Sequence, residues 1–167
     1  MKKAIFTILR HCTFSLVAIL TAVSFTACSD DDETATFSPQ SFTGELSTSI
    51  PAMPSFQAVS SSNAMTIIWA DATQTSATVQ LGEINLAVTT PMGEKVYQIG
   101  EMTIEGVTCT KEGATIQLSK PQFECQAGKY LTTGSLTGTL ENNELSVTLL
   151  YKPGSMPFMV QSIFTSK

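Results

Sequence analysis

From Phe42 onward, apolar and polar residues alternate in short runs interrupted by glycine, proline and asparagine, and no stretch carries a 3.6-residue period. Period two is the signature of strands with one buried face, so the pattern predicts an all-β chain of consecutive antiparallel strands. It is clearest between Gly134 and Phe164. With Asn142-Asn143 as a two-residue hairpin loop, Leu140 meets Leu145, Gly138 meets Val147, Leu136 meets Leu149 and Gly134 meets Tyr151. All of these share one face, and Ser135, Thr137, Thr139, Ser146 and Thr148 share the other. A one-residue slip would turn the whole apolar set outward, so the alternation specifies the register. A turn at Pro153-Gly154 would then place Met156 against Tyr151, Phe158 against Leu149 and Val160 against Val147.

The middle of the chain reads similarly. Turns at Glu112-Gly113 and Lys120-Pro121 predict one row of Val107, Leu118 and Phe123, and a second of Cys109, Ile116 and Cys125. In that register Cys109 and Cys125 flank Ile116 from two strands away, about 9 to 10 Å apart. A disulfide needs Cα atoms within about 7 Å. Two buried thiols are therefore the expectation, and a Cys109–Cys125 disulfide the alternative that a one-residue bulge would permit.

Earlier segments are less sharply patterned. Phe42-Thr43-Gly44-Glu45-Leu46 alternates and ends at Pro51; Met65, Ile67 and Trp69 share a face ahead of a turn at Asp71-Ala72-Thr73. Val79 and Leu81 have one parity, Ile84, Leu86 and Val88 the other, with Gly82 marking a bulge or bend between them. After a turn at Met92-Gly93-Glu94, a strand starting at Tyr97 runs past Gly100 toward Gly106. The chain so read has about 8 to 10 strands and no helix after the N-terminal segment. Such a meander leaves two edges that closure into a barrel would remove.

The N-terminus changes the setting. Lys2, Lys3 and Arg10 precede an apolar run from Phe14 to Phe25, the arrangement of a secretory signal and too short for an uninterrupted membrane span. Phe25-Thr26-Ala27-Cys28 resembles a lipobox, with Phe25 in place of the usual leucine, and makes Cys28 the expected lipidation site. The acidic run Ser29-Asp30-Asp31-Asp32-Glu33 resembles the surface-export signals of lipoproteins from the Bacteroidota. The expected organisation is a signal peptide over 1–27, a disordered acidic tether over 28–40 and one domain over 41–167. The protein would then be exported and lipid-anchored to the outer membrane, facing the cell surface in the furthest case. Two or three acyl chains would hold it there stably.

Removing the signal takes away Lys2, Lys3, Arg10 and the one histidine, His11. Six lysines then stand against 14 acids, hence a net charge of −8 with no arginine. That lacks the footprint of a nucleic-acid partner. Without histidine there is no ordinary nucleophile–base pair or zinc site.

The strands Ser41-Phe42-Thr43-Gly44-Glu45-Leu46, Gly100-Glu101-Met102-Thr103-Ile104-Glu105-Gly106-Val107 and Gly134-Ser135-Leu136-Thr137-Gly138-Thr139-Leu140 with its following hairpin resemble those of the calycin-like β-barrel lipoproteins of the Bacteroidota. The resemblance covers most of 41–167. It implies an up-and-down barrel of about eight strands, related in architecture to lipocalins, and no catalytic residue set.

Candidate chemistry is sparse. Glu101 and Glu105 share a strand face about 13 Å apart, beyond the spacing of paired glycosidase carboxylates, and read as a solvated face. Asp30, Asp31, Asp32 and Glu33 have no EF-hand spacing. The Ser60-Ser61-Ser62-Asn63 run lacks a Gly-x-Ser-x-Gly or Ser-x-x-Lys context. No catalytic residue, metal site or cofactor is expected, and the chain is not read as an enzyme. Trp69, Tyr97, Phe123, Tyr130, Tyr151 and Phe158 are the candidate lining of a barrel cavity, against simple core packing for each. Two readings follow: a module binding a small apolar or amphipathic molecule or a glycan in the barrel mouth, or a solid barrel whose outer surface contacts a protein partner.

Overall fold

A computed structural model describes residues 38–53, 59–90 and 93–167; the expected signal, Cys28 and the acidic run lie outside the described residues. Ten strands are present: β1 (Gln40–Ser49), β2 (Val59–Trp69), β3 (Ser76–Leu81), β4 (Ile84–Thr90), β5 (Gly93–Ile99), β6 (Met102–Glu112), β7 (Thr115–Ala127), β8 (Tyr130–Glu141), β9 (Glu144–Pro153) and β10 (Val160–Ser166). Eight of them close an antiparallel barrel in the order β1-β10-β9-β8-β7-β6-β3-β2, while β4 and β5 form a separate hairpin. The barrel strands pair in chain order, with β3 passing to β6 across the β4–β5 hairpin, and β10 closes on β1 from Gly44↔Ser166 to Ser49↔Gln161. The all-β, up-and-down barrel expected from the alternation is the fold.

The alternating register holds where a tight turn sets it. Asn142 and Asn143 both adopt positive φ, at 50° and 66°, the geometry of a type I′ loop. Leu140↔Leu145, Gly138↔Val147, Leu136↔Leu149 and Gly134↔Tyr151 pair across it as the pattern requires. Gly138 and Gly134 face Val147 and Tyr151 at close range: a Cβ on Gly134 would lie 2.7 Å from that of Tyr151.

Three registers differ from expectation. The β6–β7 loop is Gly113-Ala114, with Gly113 at φ 64°, so Cys109 meets Leu118 and Lys111 meets Ile116. Moving a two-residue loop by one position slides the register by two, which leaves the inward parity intact. Lys120-Pro121 is no turn. β7 continues through it with a bulge between Lys120 and Phe123, and the inward parity changes from Ile116 and Leu118 to Phe123 and Ala127. Proline has no N–H to give a ladder and is tolerated at such a bulge. The actual turn is Gly128-Lys129, where Ala127 pairs with Tyr130.

At Pro153-Gly154 the Gly154 amide donates to Leu131 O at 2.8 Å, extending the contact with β8 before the chain turns. The loop therefore runs from Gly154 to Met159, and Val160, not Met156, meets Tyr151; Ser162 and Phe164 meet Leu149 and Val147. Finally, the strand expected to run from Tyr97 past Gly100 is two strands. Gly100 lies between β5 and β6 against the backbone of Gly128, where a Cβ would come within 2.4 Å of the Gly128 nitrogen.

The hairpin follows from the parity change at Gly82. The chain leaves the barrel after Leu81 and returns at Met102 beside it, so β4–β5 hangs from one end. Ile84, Leu86, Val88 and Ile99 on one hairpin face are almost wholly buried and join the barrel core. The outer wall next to the hairpin's base remains open to solvent at Gln80, Glu101 and Thr103. The hairpin therefore packs over the barrel's end rather than its side. Without that packing a lone two-stranded ribbon is marginal in water.

Candidate functional site

The barrel interior is the first place to look for a ligand, and it is full. Leu46, Met65, Ile67, Ile104, Leu136, Val147, Leu149 and Phe164 are at or near zero exposure and form one continuous cluster. Eight-stranded barrels are just wide enough to be filled in this way. The hairpin closes one end, with Ile50 and Met156 also buried there; Trp69, Leu140 and Leu145 are buried toward the other.

The six aromatic candidates are accordingly dispersed. Trp69 and Phe123 are each 7% exposed and Tyr151 is fully buried, all within the core. Tyr97 and Phe158 are half-buried at the hairpin end, where their rings meet edge to face with centroids 6.3 Å apart. Tyr130 is half-buried at the start of β8, under the Lys129 ammonium at 5.3 Å, and Lys95 lies 4.9 Å over Tyr97. Among the described residues only Tyr97 and Phe158 form an aromatic pair.

One polar group of side chains lies inside the core. Ser162 Oγ is 3.0 Å from Thr48 Oγ1 and 3.1 Å from the Tyr151 hydroxyl, and all three residues are buried. No buried side-chain polar atom among the described residues lacks a partner. Burial pushes the Tyr151 phenol up to about 12, against a smaller opposite effect of its bond to Ser162. A satisfied chain of hydroxyls with no acid or base beside it is a specifying feature of the core.

Cys109 and Cys125 are free thiols. They are far apart along the β6–β7 pair: Cys109 faces Leu118, whereas Cys125 takes a hydrogen bond from the Thr103 amide, six residues away along β6 or about 20 Å. The expected arrangement around Ile116 does not form, because β7 is continuous. Burial, with the nearby Asp71 charge adding, pushes the Cys109 thiol up to about 11, and burial also raises Cys125. Neither is an activated nucleophile.

The outer wall carries what the interior does not. Clefts of about 500 and 540 Å³ flank the β7 bulge, the first lined by Thr103, Glu105, Lys120, Gln126 and Cys125, the second by Thr133 and Gly134, with Gln122, Phe123 and Glu124 common to both. The sequence singles out Phe123 for its ring, Glu105 for its carboxylate and Cys125 for its thiol, but does not bring the three together at one cleft. The available signal was Pro121 within an alternating run together with the parity change across it.

The two barrel ends also differ. Val96 and Leu131 are 52% and 53% exposed, and with Val59 and Met159 they stand at the hairpin end. Leu150 and Ile163, also exposed, sit on neighbouring strands three residues from that end. The chain comes into the barrel at the opposite end, where Gln40 Nε2 donates to Asn143 Oδ1 at 3.1 Å. Among the described residues no group of His, Cys, Asp and Glu is arranged to hold a metal, and no helix is long and apolar enough to cross a membrane.

No known protein family matches this chain, and no curated protein does. The crystal structure of a protein described as a "putative outer membrane protein" from Bacteroides fragilis is similar to it, with a TM-score of 0.60 at 18% identity. The similarity covers 77% of this chain and 50% of that one, so this chain spans about half the other's length. At that identity the likeness is one of fold.

Proposed function

We propose that this chain is a lipid-anchored interaction module of the outer membrane, a calycin-like barrel with a solid core that docks a protein partner through its hairpin end. The observation that carries this reading is the hairpin over a filled barrel, which occupies the place where a lipocalin-like cup would open. Val59, Val96, Leu131 and Met159 are exposed at that end, away from the end where Gln40 brings in the chain. We read these exposed apolar side chains as the contact surface. Cys28, the expected lipidation site, precedes Gln40 in the chain, and Gln40 begins β1 at the end away from the hairpin. The name of the Bacteroides fragilis neighbour supports an envelope location. Among the described residues no arrangement of side chains suggests catalysis, and we read the protein as a non-enzyme.

Native mass spectrometry of the full chain, extracted gently from its own membrane, tests both halves of the proposal. The expected species carries acyl chains that vanish in Cys28→Ala and carries no further small molecule. A reproducible extra mass of a lipid or sugar that survives loss of the acyl chains would restore the cup and overturn the docking reading. Photo-crosslinkers at Val96 and Leu131 are expected to join one defined protein, and the same group at Glu141 none.

A further inference from the structure

Every strand of the barrel has a neighbour on each side, so closure leaves the barrel itself without an edge. The hairpin brings two edges back. β4 and β5 are a sheet of two, and among the described residues no other strand runs alongside either of them. The two edges differ. β4 lies over the core through Ile84, Leu86 and Val88, and its base is tied to β2, where Asn63 Nδ2 donates to Glu83 O and the Gly82 amide to Ala64 O, both at 3.2 Å. β5 is the more open strand: Glu94, Lys95, Val96 and Gln98 are exposed, and only Ile99 is buried.

The turn decides which groups of β5 face outward. Thr90↔Gly93 closes the hairpin around two residues, and the closing pair of such a hairpin is hydrogen-bonded. Bonding alternates from there, so Val88↔Lys95, Leu86↔Tyr97 and Ile84↔Ile99 are bonded pairs. Glu94, Val96 and Gln98 lie between them and turn their N–H and C=O groups away from β4. Among the described residues no turn or loop backbone bonds to these six groups. Open edges are templates for another strand, and proteins blunt them with proline, a bulge or a projecting lysine. β5 has no proline, its pairing with β4 is continuous from Gly93 to Ile99, and Lys95 folds its ammonium over Tyr97, 4.9 Å from the ring centre. The edge is left unprotected.

We propose that the outer edge of β5, Glu94–Gln98, is a strand-addition site for an extended segment of the protein partner, about five residues long, with Lys or Arg two positions from a β-branched residue. Its length is that of the three residues with outward groups and the two between them. Its composition follows from the face that Glu94, Val96 and Gln98 share, because an added strand sets its own alternate residues opposite these three. A β-branched residue opposite Val96, which is 52% exposed, covers it, and two positions away a cation meets the Glu94 carboxylate. Main-chain bonds give affinity in this mode and alternate side chains give selectivity. β5 returns to β6 on the side of the Gly128-Lys129 turn, and the exposed Leu131 follows that turn directly. The inference deepens the docking reading of the hairpin end and rests on it.

The test uses the full chain in detergent micelles and a display library of random eight-residue peptides. The best peptide is synthesised plain and in two versions, N-methylated at odd or at even positions. The selected peptides are expected to carry Lys or Arg two positions from Val, Ile or Thr, and to slow hydrogen exchange at the Glu94, Val96 and Gln98 amides at least tenfold. One N-methylated version only should bind at least tenfold more weakly. Val96→Pro removes an outward N–H and no bond to β4, so it should lose the peptide while the Lys95 and Tyr97 amides keep their protection. Glu94→Lys, an exposed substitution, should weaken the peptide several-fold. A library without binders, protection of Asn85 and Ala87 in place of β5, equal binding by both N-methylated versions, or full binding by Val96→Pro would each overturn the proposal. Crosslinks from Leu131 separate the two readings. If they reach a partner and survive Val96→Pro, the docking reading stands and strand addition falls; if neither Leu131 nor Val96 crosslinks to any protein, the docking reading falls as well.

Discussion

The two ends of the barrel obey different rules. At the end where the chain comes in, Asp71–Thr75, Gly113-Ala114 and Asn142-Asn143 are short turns that hand one strand directly to the next in register. At the other end, among the described residues, only Gly128-Lys129 is as tight, and the other connections include the whole β4–β5 hairpin and the Gly154–Met159 loop. One end fixes the fold; the other carries the apolar surface left over once the fold is fixed. The comparison breaks most readily on the hairpin, whose two faces should respond oppositely. Leu86→Ala removes a fully buried side chain and is expected to cost about 2 to 5 kcal/mol in chemical denaturation. Val96→Glu on the exposed face should stay within about 0.5 kcal/mol while abolishing partner crosslinks. Equal losses for both would mean that the hairpin is loosely seated and not a plug.

Just beneath the hairpin end lies the buried hydroxyl group of Tyr151, Ser162 and Thr48, which supplies the next largest effect. The Tyr151 phenol is held neutral in the fold, pushed up from 10 to about 12. A raised phenol contributes stability that is complete below pH 10 and is lost as pH rises through 12, about 2 to 3 kcal/mol in all. Tyr151→Phe should remove that slope and cost about 1 kcal/mol at neutral pH, since Ser162 keeps its bond to Thr48. Urea titrations of both proteins from pH 8 to 12 measure it. An unchanged slope in Tyr151→Phe would place the titrating group elsewhere.

The same contrast explains what was legible in the sequence. The inward faces were legible almost throughout, because alternation is a property of one strand: Met65, Ile67 and Trp69, or Leu145, Val147 and Leu149, need no knowledge of their neighbours. Register was legible only where the turn residues are decisive. Asn142-Asn143 fixes β8 on β9, but Pro153-Gly154 looks like a turn and is used first to continue pairing with Leu131. Even there the error was an even number of residues, and Val160 stayed inward. The β7 bulge was not legible because Lys120-Pro121 has the composition of a turn as well as of a bulge. Whether the interior is hollow was not legible either. The same aromatic positions could line a cavity or fill it, and the deciding element, β4–β5, appeared in the pattern only as a parity change at Gly82.

A smaller effect belongs to the opposite end. Asp71 Oδ1 accepts from the Thr73 hydroxyl at 2.5 Å and the Thr75 amide at 3.2 Å, and Oδ2 accepts from the Thr75 hydroxyl at 2.9 Å. These bonds, the Thr73 hydroxyl first, lower its carboxyl from 3.8 to about 2. A lowered carboxyl contributes stability that is present above pH 3.8 and lost as pH falls through 2. Because the group is at the surface, the loss should be local: faster exchange of the Thr75 amide below pH 4, absent from Asp71→Ala, in which that amide exchanges fast at every pH. A cooperative loss of the whole barrel in this window would show that the turn does more than close β2 on β3.

The smallest effect compares positive-φ positions at the two ends. Asn143 at 66° takes a conformation that glycine adopts more freely, and its side chain adds only an exposed bond to Gln40. Asn143→Gly is therefore expected to gain about 0.5 kcal/mol, a rise in melting temperature of about 1 to 3 °C. Gly154, at φ 54° in the longer connection, is the reverse case: an added Cβ lies 3.2 Å from the Tyr130 ring, so Gly154→Ala should lose at least as much as Asn143→Gly gains. If Asn143→Gly destabilises instead, the Gln40–Asn143 contact is holding the start of β1 to the β8–β9 turn, and the end that carries the chain into the barrel is stiffened by that side chain rather than by its turn geometry.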